Sequence, residues 1–197
     1  MDSPQTGLRT HVPHSYQDPV DLVWLHCAAR AGIIVRRNRT VFAAWDGGGT
    51  LTLGESDTLD PDDSIAQMIL HELCHHLVEG PDSWFRPDWG LQIDDPTQRY
   101  REHACLRLQA ALADTVGLRH FFGATTSFRV YYDALGSDPL ESGDDPAIEP
   151  AQWGWERAQQ APWLAPLKEA LESTCLIARV VEPIAPTDSI WSRGANR

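Results

Sequence analysis

Basic side chains are in short supply in this chain: 16 Lys and Arg stand against 28 Asp and Glu, a formal net charge of −12 over 197 residues. Proteins that grip nucleic acid do so by neutralising phosphates, so this balance argues against a nucleic-acid partner. Long apolar runs are lacking too. No stretch approaches the roughly 18 consecutive apolar residues of a membrane span, and residues 1–20 show no basic start followed by an apolar run. Neither a membrane anchor nor a secretion signal is expected. Cysteine is scarce: Cys27, Cys74, Cys105 and Cys175 are too few and too scattered for a disulfide scaffold, and they read as reduced thiols of a cytoplasmic protein. No internal repeat is visible. With 42% hydrophobic and 22% charged residues, the composition is that of an ordinary globular chain with one good-sized core.

Against this plain background stands residues 64–79, SIAQMILHELCHHLVE, which carries His71, Glu72 and His75 in the order H-E-x-x-H. Residues four apart on a helix stand one turn above each other, so the two imidazoles share one face and can grip one ion. Glu72 then points beside them. Neutral imidazole is a good zinc ligand, and a neighbouring carboxylate can serve as base toward water. At about 100° per residue, Ala66, Ile69, Leu70, Leu73 and Leu77 form an apolar stripe nearly opposite the histidines, which predicts a core side and a cleft side. Cys74 falls at the flank of this helix as a packing residue.

Residues 1–17 form a lead-in with little periodicity. A first helix follows, capped by Asp18 or Asp21 beside Pro19, with Val20, Val23, Trp24, Cys27 and Ala31 at helical spacing. Three short strands, at 33–35, 40–45 and 50–54, are expected as a small antiparallel meander. An acidic loop leads into the motif helix, capped by Asp62, Asp63 or Ser64. Residues 80–96 are irregular, with Trp84, Phe85 and Trp89 either walling a cleft or pinning a loop to the core. A strong helix spans 97–116, with Cys105, Leu108, Leu112 and Val116 as its stripe and Gly117 at its end. The zinc-site domain is thus placed at 18–135. An acidic linker at 136–150 and a helical extension at 151–197, with a helix at 166–179, complete it. The fold class is α+β: a small sheet, a motif helix and several further helices.

A catalytic zinc needs a third protein ligand and an open position. The metzincin pattern is excluded, because Val78 and Pro81 occupy the positions its glycine and third histidine require. The next helix offers Glu102 and His103. Glu102 lies about 60° from Cys105, at the edge of the packing stripe, whereas His103 points to the charged side with Arg99 and Arg107. A ligand belongs near the seam between two helices, which selects Glu102 and leaves His103 as the alternative. Asp94, Asp95 and Asp114 are candidate acceptors for the outer N–H of a ligating imidazole.

In this order of elements, with HELCH on one helix and REHACLRLQAALA on the next, the chain resembles the ImmA/IrrE family of intracellular, gluzincin-type zinc metallopeptidases. The likeness covers about residues 18–117. It implies His71, His75 and Glu102 as zinc ligands, Glu72 as catalytic base, and a protein substrate such as a helix-turn-helix transcriptional repressor. The chain departs from that pattern in Cys74, where a glycine is common, and in its Trp-containing C-terminal region. It has no recognisable helix-turn-helix, and Leu106 stands where thermolysin-like enzymes carry an aspartate after the third ligand. The expectation is a zinc peptidase acting on a protein inside the cell. The alternatives are a non-catalytic zinc module that binds a partner or senses a signal, and a zinc hydrolase of a small molecule. An intact Glu72 favours hydrolysis, since a structural site needs no base and closes with a fourth ligand.

Overall fold

The computed structural model describes residues 14–92 and 95–192, and the chain is α+β within that range. Its first helix, α1 (Pro19–Arg30), begins where Asp18 accepts from the Val20 amide at 2.8 Å, one of the donors a helix start leaves unpaired. Val20, Trp24, Cys27 and Ala28 turn inward, and the Trp24 indole donates to Thr174 at 2.9 Å.

Strands β1 (Ile34–Asn38), β2 (Ala43–Trp45) and β3 (Thr50–Gly54) make one sheet in the order β1-β3-β2. β3 runs antiparallel to β2 but parallel to β1, with Ile34 opposite Thr50 and Asn38 opposite Gly54. This corrects the expected antiparallel meander: the sheet is mixed. The reason is apolar content. Leu51 and Leu53 of β3 are fully buried, so β3 takes the centre, while β1, with Arg36, Arg37 and Asn38, stays at an edge.

Helix α2 (Ile65–Glu79) carries the motif and runs through the middle of the molecule. Ser64 caps it, accepting from Gln67 N at 3.1 Å, and it ends at Gly80 with φ +85°. From Ile65 to Val78 every residue except His71 is buried. The opposite face is therefore not the open cleft that the stripe implied. The remaining helices explain this: α3 (Arg99–Asp114), α4 (Arg129–Asp133), α5 (Ile148–Ala158) and α6 (Leu164–Val181). α3 and α5 pack on α2, and α6 on α1. α5 comes close because Gly154 has no side chain; a Cβ there would lie 2.7 Å from Leu108 and 3.1 Å from Val78. Residues of α1, the sheet, α2, α3, α5 and α6 share one core, and Ile190 and Trp191 pack against it.

Two stretches differ from the sequence reading in detail. The 136–150 segment is mostly exposed, but it is anchored: Asp145 accepts from Arg107 and from the Tyr131 hydroxyl, each at 2.8 Å, and Ala147 and Ile148 are buried as α5 begins. Residues 81–90 form a strap, a 3₁₀ turn at Pro81–Phe85 followed by a tight turn at Pro87–Gly90, that packs against α2. Gly47, at φ +72°, lets the strap lie against the turn before β3, since a Cβ there would meet the Pro87 nitrogen at 3.1 Å. Among the described residues no helix is long and apolar enough to cross a membrane.

Candidate metal centre

His71 and His75, one turn apart on α2, turn their Nε2 atoms toward each other at 3.0 Å. Glu102, in the first turn of α3, reaches between them from the facing helix. Its Oε1 lies 3.3 Å from His71 Nε2 and its Oε2 lies 3.3 Å from His75 Nε2. Donors about 2.0–2.1 Å from a tetrahedral ion stand about 3.3–3.4 Å from one another. The three side chains thus already hold nearly the spacing that one common cation requires.

The proton inventory of the site agrees. Gln109 Nε2 donates to the Phe122 carbonyl at 2.5 Å, which turns the amide so that its Oε1 faces His71 Nδ1 at 2.9 Å. That network assigns the proton of neutral His71 to Nδ1 and leaves Nε2 with a free lone pair. Glu102 Oε2 has no hydrogen-bond partner although it is buried. The His71 Nε2 lone pair and the Glu102 carboxylate converge on one point, where a cation would satisfy both; His75 Nε2 meets them there, and its Nδ1 is buried with no partner.

Electrostatics within the chain point the same way. Desolvation alone would depress His71, but the Glu102 carboxylate beside it prevails and lifts its pKa to about 10. Burial would raise Glu102, yet His75 and His71 hold it down to about 2. His75, more deeply buried, is lowered to about 4 by desolvation.

Glu72 stands beside this set, 8% exposed, and does not join it. Its Oε2 accepts from the Trp89 indole N–H at 2.7 Å. Burial pushes its carboxyl above the usual carboxylate range, against the pull of His71 and the Trp89 donor. His76 is a core residue: its ring lies against Trp84, Trp89 and Trp163, and Nδ1 meets the Ser83 hydroxyl at 3.0 Å.

Cys105 offers a second donor combination, because its thiol clusters with His71 and His75 with all three donor atoms within 4.8 Å. The geometry favours Glu102. Cys105 approaches His71 from the Nδ1 side, at 3.6 Å, where Gln109 already sits, and its thiol donates to the His71 carbonyl at 3.3 Å. Burial also raises its pKa well above that of an ordinary thiol, so it does not supply thiolate readily. Sequence periodicity had placed Cys105 only in the packing stripe.

The other candidates lie elsewhere. His103 is stacked on Tyr131 with ring centroids 3.7 Å apart, on the α4 side of α3. Asp95 caps the turn before α3, and Asp114 pairs with Arg119, so neither reaches an imidazole. Asp94 lies outside the described residues. The outer partner that His71 does have, Gln109, is one turn beyond Cys105 on α3. Its position four residues after Cys105, on the seam with α2, was the available signal. Of the three aromatics expected to wall a cleft or pin a loop, Trp89 is 2% exposed and Phe85 is 76% exposed.

Comparison of the chain with protein-family models, with curated proteins and with solved structures returned no match.

Proposed function

We propose that the protein is a zinc-dependent metallopeptidase of gluzincin type, like the ImmA/IrrE enzymes, that hydrolyses a peptide bond in a protein partner in the cytoplasm. The observation that carries this reading is the meeting of His71, His75 and Glu102 at ligand spacing with a separately oriented Glu72 beside them. Zinc, when bound there, supplies Lewis acidity toward a carbonyl and makes water easier to deprotonate. His71 and His75 would hold it through Nε2, Glu102 would supply the negative charge that offsets the cation, and Gln109 accepts from His71 Nδ1, which leaves His71 Nε2 available. Glu72 takes the proton of the attacking water and hands it to the departing amine. The free Oε1 of Glu72 is the atom for that task, because Oε2 is already bonded to Trp89.

A partner of repressor type is the substrate class that the resemblance supports, and the net charge of −12 gives no support to a nucleic-acid substrate. An extended peptide could add to the β1 edge of the sheet. The other edge is partly taken, since the Trp45 amide donates to Asp88 at 3.2 Å.

Elemental analysis is expected to find one zinc per chain. Wild-type and Glu72→Gln proteins are then incubated with lysate of the source organism and, separately, with casein. A few discrete cleavages, abolished by chelator and lowered about 100-fold or more in Glu72→Gln with zinc retained, support the reading. Equal cleavage by both proteins, or zinc-loaded protein that cleaves nothing, counts against it.

A further inference from the structure

The Trp89 indole reaches Glu72 by an unusual path. Asp88 and Trp89 are consecutive residues in left-handed backbone, at φ 48° and φ 56°, and neither is glycine. Side chains seldom adopt that conformation, and it persists only where surrounding contacts over-determine it. Those contacts are present. The Trp45 amide donates to Asp88 at 3.2 Å, and the Trp45 ring stacks on Trp89 at 4.2 Å and 9°. The Trp45 indole donates to the Trp84 carbonyl at 2.9 Å. Arg101, the neighbour of Glu102, donates to the Gly90 carbonyl at 3.1 Å while paired with Glu79.

A tryptophan that only filled space would need no such clamping, and its N–H could take any acceptor, as Trp24 takes Thr174. Here the donor is spent on the one carboxylate of the motif that is not a candidate ligand. A carboxylate with one oxygen bonded to a fixed donor loses rotational freedom, and its other oxygen carries no such bond and is left to accept elsewhere. We propose that Trp89 is a positioning residue, held by the 81–90 strap so that its N–H fixes Glu72 with Oε1 turned to the substrate water. The catalytic consequence rests on the hydrolytic reading above; the positioning itself does not.

The test replaces Trp89 with 3-benzothienylalanine, which keeps the ring stack and volume but has sulfur in place of N–H. Zinc content and unfolding midpoint are expected to stay at wild-type values. On a peptide spanning the bond cleaved in the lysate, kcat is expected to fall about tenfold or more with KM within about twofold. A residue that merely packs the core would leave kcat unchanged in this variant, and that result overturns the proposal. A second arm needs no substrate. The Trp89 indole proton, assigned in ¹⁵N-labelled protein by its loss in Trp89→Phe, should shift and exchange faster with solvent in Glu72→Ala. If the wild-type protein cleaves nothing, the hydrolytic reading fails, and this arm alone decides whether Trp89 holds Glu72: an unmoved resonance overturns the proposal.

Discussion

The two flanks of the candidate metal centre are built by opposite means. On one flank, α2 and α3 lie side by side as regular helices, and His71, His75, Glu102 and Gln109 meet across their seam at turn spacing with ordinary backbone. On the other flank, the 81–90 strap reaches Glu72 through two left-handed residues, with contacts drawn from β2, α2 and α3. The helical flank is cheap to form and tolerant at its surface, since periodicity delivers each donor without strain. The strap is costly, so it depends on its clamps. Side chains of the helical flank are therefore expected to fail singly and locally, and the strap to fail as a unit.

The largest effect should come from the helical flank. Glu102→Ala is expected to lose more metal affinity than the about 10- to 100-fold typical of an outer partner, while His103→Ala and Cys105→Ser retain zinc in elemental analysis. Retention in Glu102→Ala with loss in Cys105→Ser would reassign the third donor to the thiol. Next comes the strap. Trp45→Ala removes a fully buried ring together with the support of Trp89, and should lower stability by about 3–5 kcal/mol in urea unfolding. A cost near that of an exposed residue would mean that the strap stands without its clamp.

Gln109→Ala should weaken zinc binding about 10- to 100-fold, read by competition with a chelating dye, because His71 Nδ1 loses the acceptor that sets its tautomer. Ser64→Ala, which removes the cap of α2, is expected to cost about 1 kcal/mol in the same unfolding assay without changing metal affinity. The smallest effect is the sharpest comparison. Asp88→Asn keeps an oxygen for the Trp45 amide and suits left-handed backbone, so stability should stay within about 0.5 kcal/mol. A clear loss would show that the Asp88 charge, rather than its acceptor and backbone, holds the strap.

What could be read ahead of the structure follows from how local each signal is. Two histidines four apart need only helix geometry to converge, and Glu102 was selected over His103 by its angle to Cys105. The caps at Asp18 and Ser64 are equally local, one side chain bonding amides two or three residues on. α5 was not anticipated: the reading ended an acidic linker at 150 and placed the helix of the extension at 166–179, whereas α5 runs across that boundary. Pro150 sits in the first turn, where a missing N–H costs nothing, and Gly154 is the point of close contact with α2 and α3. The parallel pairing of β1 with β3 was equally hidden, since strands this short carry no mark of direction.

By itself the sequence determined the motif helix, the helix that carries Glu102 and which side chains share a face on each, because these depend on periodicity within single elements. Only the tertiary structure decided that α2 is buried nearly all round, that Gln109 rather than an aspartate backs His71, and that Trp89 is bonded to Glu72. The physical reason is that these contacts join residues from separate elements. Their formation depends on how α5 and the strap pack against α2, and strained backbone at Asp88 and Trp89 exists only once that packing is in place.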